Sequence, residues 1–145
     1  MSRVSPEEAV SVLKESIGPD AEFRDHQWEA IDKLVNDRDR LLLVQRTGWG
    51  KSTVYFTATR LLRDQGFGPT LIISPLLSLM RNQIENAREN LGLNAVTIHS
   101  NNEDEWDAAY DAVINGTCDI LLVSPERLTN PEFREDVLGK MYDDF

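Results

Sequence analysis

Residues 46–52 read R-T-G-W-G-K-S, and Gly48, Gly50, Lys51 and Ser52 are the residue types that a phosphate group needs. Glycines let backbone N–H groups come close to phosphate oxygens, and a helix N-terminus behind them adds aligned dipoles. Lys51 would reach the β/γ-phosphates, and the Ser52 hydroxyl would be a ligand for Mg²⁺. The phosphates of a nucleotide are expected over Gly48 to Thr53, with Thr47 before them and Trp49 projecting outward between the two glycines. The usual pattern, G-x-x-x-x-G-K-[ST], opens on a glycine, and here Gln45 stands in that place. A strand-to-helix turn that merely contains G-x-G-K-S is the alternative, and the flanks argue against it. R-L-L-L-V-Q (40–45) has the brevity of a buried strand, and a helix through about Leu62 follows.

The elements that must position this loop can be read on either side of it. Ser5, Pro6 and Glu8 form a capping box ahead of a helix with Val10, Leu13 and Ile17 along one side, ended by Gly18-Pro19. A second helix spans roughly 25–36, with Trp28, Ile31, Leu34 and Val35 at helical spacing. Beyond the loop, T-L-I-I-S (70–74), N-A-V-T-I (94–98) and C-D-I-L-L-V-S (118–124) read as strands. Helices over 75–90 and 103–114 separate them, closed by Gly92 and by Asn115-Gly116. Strands alternating with helices predict an α/β fold of three layers around a parallel sheet. Trp28 and Trp106 are expected in the core and His26 on the surface, and His99 reads as a loop histidine.

Composition limits the classes of partner. The chain has 145 residues and a formal net charge of −10, which argues against gripping nucleic acid by bulk charge. The charge is uneven: residues 51–100 carry 5 basic and 3 acidic side chains, whereas residues 101–145 carry 3 and 12. An anionic ligand should therefore dock in the middle third. The single cysteine, Cys118, lies in an apolar strand, where a buried thiol is the expectation, and it leaves no internal disulfide. No apolar run approaches the length of a membrane span, and the first residues lack an apolar signal core. A soluble, cytoplasmic chain without a membrane partner is expected.

Three further segments join the loop in one resemblance. Q-R-T-G-W-G-K-S resembles motif I of superfamily 2 helicases, in which the opening position need not be glycine. F-R-D-H-Q (23–27) looks like motif 0 of the RecQ family, S-P-L-L-S-L-M-R-N-Q (74–83) like its motif Ia, and S-P-E-R-L (124–128) like its A-P-E-R-L segment. The resemblance implies the front part of the first RecA-like, P-loop ATP-binding domain of a RecQ-type DNA helicase over residues 1–145, with residues 1–20 as a helix and turn preceding motif 0. It implies ATP as the nucleotide, Gln27 reading the adenine edge through its amide, Arg24 against the base, and Phe23 beside them. It also implies sequence-independent contacts to single-stranded or forked DNA through Ser74, Pro75, Ser78, Arg81, Gln83, Ser124, Pro125 and Glu126. Ser74 and Ser124 can each cap the helix that follows, so that helix N-termini meet backbone phosphates.

The sequence departs from that family in ways that matter. Asp20 stands where an aromatic residue is common, Asn82 replaces an aspartate, and no D-E-x-H run is present to hold Mg²⁺ and orient water. A second RecA-like domain and its arginine finger are also missing from these residues, so a fragment unable to hydrolyse ATP or unwind DNA alone is the expectation. A sheet stopped at residues 118–124 lacks later strands and would expose an apolar edge prone to associate. The competing readings are a nucleotide-binding regulatory switch that unwinds nothing and, more weakly, a small P-loop kinase.

Overall fold

The computed structural model describes residues 3–45, 50–74, 77–98, 106–129, 131 and 135. They fall into two compact units, Met1–Gln65 and Gly66–Phe145.

In the first unit three helices share a core. α1 (Pro6–Ile17) starts as its sequence demands, with Pro6 in the first turn and the Ser5 hydroxyl accepting the Glu8 N–H at 3.2 Å. Its buried stripe is Ala9, Val12 and Leu13, while Val10 is half-buried and Ile17 is 62% exposed. The Val10–Leu13–Ile17 face is thus corrected by one step around the helix. Both stripes contain Leu13, and only packing against α3 decides between them. α2 (Gln27–Val35) buries Gln27, Ala30, Ile31 and Val35, and leaves Trp28 and Leu34 half-buried. α3 (Lys51–Asp64) packs on both α1 and α2 and buries Val54, Phe56, Ala58 and Leu61.

The segment before α1 is pinned to the end of α2 by one side chain. Asn36 accepts the Val4 N–H at 2.7 Å and donates to the Val4 carbonyl at 3.0 Å. Val4 itself is buried. Asn36→Ala strands both of these backbone groups, at a cost of about 1–3 kcal/mol. A lowered urea midpoint at unchanged slope is the expected result; a midpoint that does not move would show that Asn36 does not hold this segment.

Residues 40–45 do not form the expected strand. The three strands of the sheet are all drawn from later in the chain, so no described strand supplies this segment with a ladder. Its side chains still alternate, with Leu42 (87%) and Val44 (77%) exposed and Leu41, Leu43 and Gln45 half-buried. That is strand-like periodicity without pairing.

The second unit is the predicted alternation. β1 (Thr70–Ile73), α4 (Leu77–Leu91), β2 (Ala95–Ile98), α5 (Trp106–Ile114) and β3 (Ile120–Val123) follow in order. All pairing is parallel in the order β1-β3-β2, with Thr70 and Ala95 both in register with Ile120. β3 is therefore central, and its four side chains are fully buried. Leu121 and Val123 pack with Ile98, Cys118 and the α5 residues Ala109 and Val113, and alternation sends Ile120 and Leu122 to the opposite face. Neither face of β3 meets solvent, as a parallel strand requires. With β3 between its two neighbours, the edges of this sheet are β1 and β2, and Ile73 of β1 is 45% exposed. Cys118 is buried, as expected, its thiol donating to the Ile120 carbonyl at 3.1 Å.

Gly92 ends α4 in a left-handed conformation (φ 65°), its N–H donating to the Arg88 carbonyl and that of Leu93 to the Ala87 carbonyl. Two of the helix's last carbonyls are thereby satisfied. After β3, Pro125–Thr129 forms a 3-10 turn rather than an α-helix. The Ser124 hydroxyl does not cap it: the side chain is buried and its Oγ has no hydrogen-bond partner among the described residues. The turn closes through the backbone instead, with the Arg127 N–H donating to the Ser124 carbonyl at 3.0 Å.

Candidate functional site

The first group of candidate residues surrounds the start of α3. Arg46, Thr47, Gly48 and Trp49, with the expected exposure of Trp49, lie outside the described residues. Gly50 is described, and it occupies the N-cap of α3 with φ 97° and ψ 41°. An L side chain rarely adopts that conformation, and one here would have to displace the Gln27 amide. A Cβ on residue 50 would lie 2.6 Å from Nε2 of Gln27. Among the described residues no side chain caps α3. A helix start leaves its first N–H groups without intrahelical partners, and such groups suit an anion. Lys51, the first helical residue, is exposed, and Ser52 and Thr53 are half-buried.

Gln27 reaches this point from α2. It is 3% exposed, a polar residue on the buried stripe of its helix beside Ala30 and Ile31. Both ends of its amide are engaged: Oε1 accepts the Arg24 N–H at 2.7 Å, and Nε2 donates to the Gly50 carbonyl at 3.3 Å. In this arrangement the amide faces protein backbone, and reading an adenine edge would require it to release those contacts. Phe23 is half-buried and Arg24 is exposed. Sequence reasoning assigned Gln27 to the base and missed its bond to Gly50. The available signal was a glutamine placed on the apolar stripe of an amphipathic helix, where a polar side chain must find a partner.

His26, on the surface as expected, precedes Gln27 in a left-handed conformation (φ 71°). Its Nδ1 lies 3.1 Å from the Glu29 carboxylate. That hydrogen bond, and then the carboxylate's charge, raise the histidine pKa above its ordinary 6.5. A raised folded-state pKa gives stability that is complete below the unfolded value and is lost as pH rises through the folded one. The effect is small at so exposed a pair. Melting profiles between about pH 5.5 and 8.5 should show a shallow decline through and above His26's ordinary range that Glu29→Gln removes. An identical slope in both proteins would overturn the assignment.

The second group belongs to the other unit. The Ser74 N–H donates to the Val123 carbonyl at 3.0 Å, and the parallel register pairs Ile73 with Val123. Ser74 and Ser124 therefore stand side by side at the C-terminal ends of β1 and β3. Ser74 is half-buried, Ser124 is buried, and Arg81, Pro125 and Glu126 are exposed. Pro75 lies outside the described residues, as do the side chains of Ser78, Gln83 and Trp106, and so do His99 and Ser100. Among the described residues, no helix is long and apolar enough to cross a membrane.

Comparison with known proteins bears on both groups. Residues 24–141 match the DEAD/DEAH box helicase family. The chain is 36% identical over 126 residues to the ATP-dependent DNA helicase RecQ of Haemophilus influenzae, covering 86% of this chain and 19% of that protein. It is 34% identical over 113 residues to the ATP-dependent DNA helicase RecQ of Bacillus subtilis, covering 77% of this chain and 18% of the relative. With the ATP-dependent helicase SGS1 of Saccharomyces cerevisiae it shares 31% identity over 123 residues, 84% of this chain and 8% of the yeast protein. The matched region spans less than a fifth of each of these relatives.

Proposed function

Since the chain belongs to the DEAD/DEAH box helicase family, we propose that it is the nucleotide-gripping part of a RecQ-type ATP-dependent DNA helicase. The observation that carries this reading is the start of α3. A left-handed glycine, where a Cβ would displace the Gln27 amide, leads directly into Lys51, Ser52 and a 14-residue helix with no side-chain cap among the described residues. Those groups fit a nucleoside triphosphate: helix N–H donors and Lys51 for the phosphates, and the Ser52 hydroxyl for a Mg²⁺ ion bound with them. When bound, that ion would draw charge from the phosphate oxygens. Adenine recognition by Gln27 and Arg24 is part of the proposal, and it would need the Gln27 amide to exchange at least one of its two backbone bonds for the base.

DNA would meet the strand ends of the second unit. Ser74 and Ser124 mark one end of the sheet, with the exposed Arg81, Pro125 and Glu126 on the elements that follow β1 and β3. Contacts of this kind position a backbone and carry no base information. Binding should be weak, because a chain of net charge −10 offers few basic contacts to the phosphates, and what those few contacts contribute should be lost as salt rises. Fluorescence anisotropy of a labelled single strand is the test. Measurable binding at low salt, equal for unrelated sequences, is expected; no binding there, or a marked sequence preference, would remove the DNA part of the proposal.

A further inference from the structure

We propose that Gln27 is a positioning residue for the phosphate site: it clamps the Gly50–Lys51 peptide and so aims the Lys51 N–H, whatever base the nucleotide carries. The inference rests on the nucleotide reading above and adds to it. A trans peptide is planar, with its C=O and N–H pointing in opposite directions. The Gly50 carbonyl and the Lys51 N–H belong to one such plane. By donating from Nε2 to the Gly50 carbonyl at 3.3 Å, Gln27 fixes the orientation of that plane and with it the direction of the first N–H of α3. The clamp is itself held. Gln27 is 3% exposed, and its other amide end is fixed by the Arg24 N–H at 2.7 Å.

Gly50 is suited to being held in this way and poorly suited to holding itself. Without a side chain it can turn through either sign of φ, so nothing intrinsic selects the observed value of 97°. The absent Cβ is also what lets the amide approach, since a methyl there would stand 2.6 Å from Nε2. One glycine thus serves two close approaches, the amide of Gln27 and a phosphate. Losing the clamp should leave the Gly50–Lys51 peptide free to rotate, and every ligand that needs the Lys51 N–H should then bind less well.

Inorganic tripolyphosphate is the probe that separates this role from adenine reading, because it carries phosphates and no base. Gln27→Glu keeps the acceptor for the Arg24 N–H but sets an oxygen against the Gly50 carbonyl, and a glutamate is favourable in the first turn of a helix. Gln27→Met keeps length and burial while removing both hydrogen bonds. Titration calorimetry with Mg²⁺ on the 145-residue protein should show tripolyphosphate affinity falling about tenfold in either variant, with ATP affinity falling at least as far. A chain that binds ATP, but whose tripolyphosphate binding is absent or untouched by both substitutions, overturns the clamp and leaves the nucleotide reading standing. A chain that binds neither ligand overturns both. Should both variants unfold, the unsubstituted protein decides. Its Gln27 side-chain amide and Lys51 backbone amide resonances should shift together as tripolyphosphate is added, and a silent Gln27 overturns the clamp.

Discussion

Replacing Lys51 with alanine is expected to weaken ATP binding by roughly 10- to 150-fold, the equivalent of one charge-assisted contact of about 1.5–3 kcal/mol. Lys51 is the first residue of α3 and is exposed, so the ammonium reaches from the helix start without disturbing the core. Its removal deletes the principal positive charge facing the phosphates and leaves the helix N–H groups to bind them alone. Folding should be almost untouched, because an exposed substitution of this kind changes stability by no more than about 0.5 kcal/mol. Calorimetric titration in Mg²⁺, paired with a melting curve, separates the two effects. An unchanged affinity for ATP would falsify the assignment of residues 50–53 to the phosphates.

The second unit was largely legible from sequence, because each of its signals is local. Runs such as T-L-I-I and I-L-L-V are short and apolar, the helices between them carry stops at Gly92 and Gly116, and alternation of the two implies parallel pairing. The order β1-β3-β2 was not legible, since periodicity says which residues form strands and not which strands are neighbours. Residues 40–45 fail for the same reason. L-L-L-V has strand composition, but a strand also needs a ladder, and pairing is a property of distant chain.

Side-chain roles were legible only as far as a motif could carry them. F-R-D-H-Q pointed to Gln27 as a functional residue, and the structure finds it buried with both amide ends occupied. Its bond to Gly50 joins residues 23 positions apart, beyond the reach of any spacing argument. Ser124 shows the opposite limit. A serine before a proline predicts a helix cap, but here a 3-10 turn closes on the Ser124 carbonyl and leaves the hydroxyl without a partner among the described residues. Capping is a preference of residue type, and the tighter turn satisfies the backbone without it.

The 145-residue protein should bind ATP and fail to turn it over, even with saturating single-stranded DNA. Phosphoryl transfer depends on positioning and on stabilising charge at the phosphate, with little covalent chemistry for the protein to perform. Of the groups that do this, the sequence holds the phosphate loop, Lys51 and Ser52. It holds no D-E-x-H run to fix the metal and the attacking water. An arginine finger, where one acts, contributes about 10³–10⁵ in rate. Grip without turnover is therefore the expected behaviour. Phosphate release measured against Lys51→Ala as the blank is the test. Release at the level of that blank supports the assignment; DNA-stimulated turnover clearly above it would mean that carboxylates within residues 1–145 complete the site.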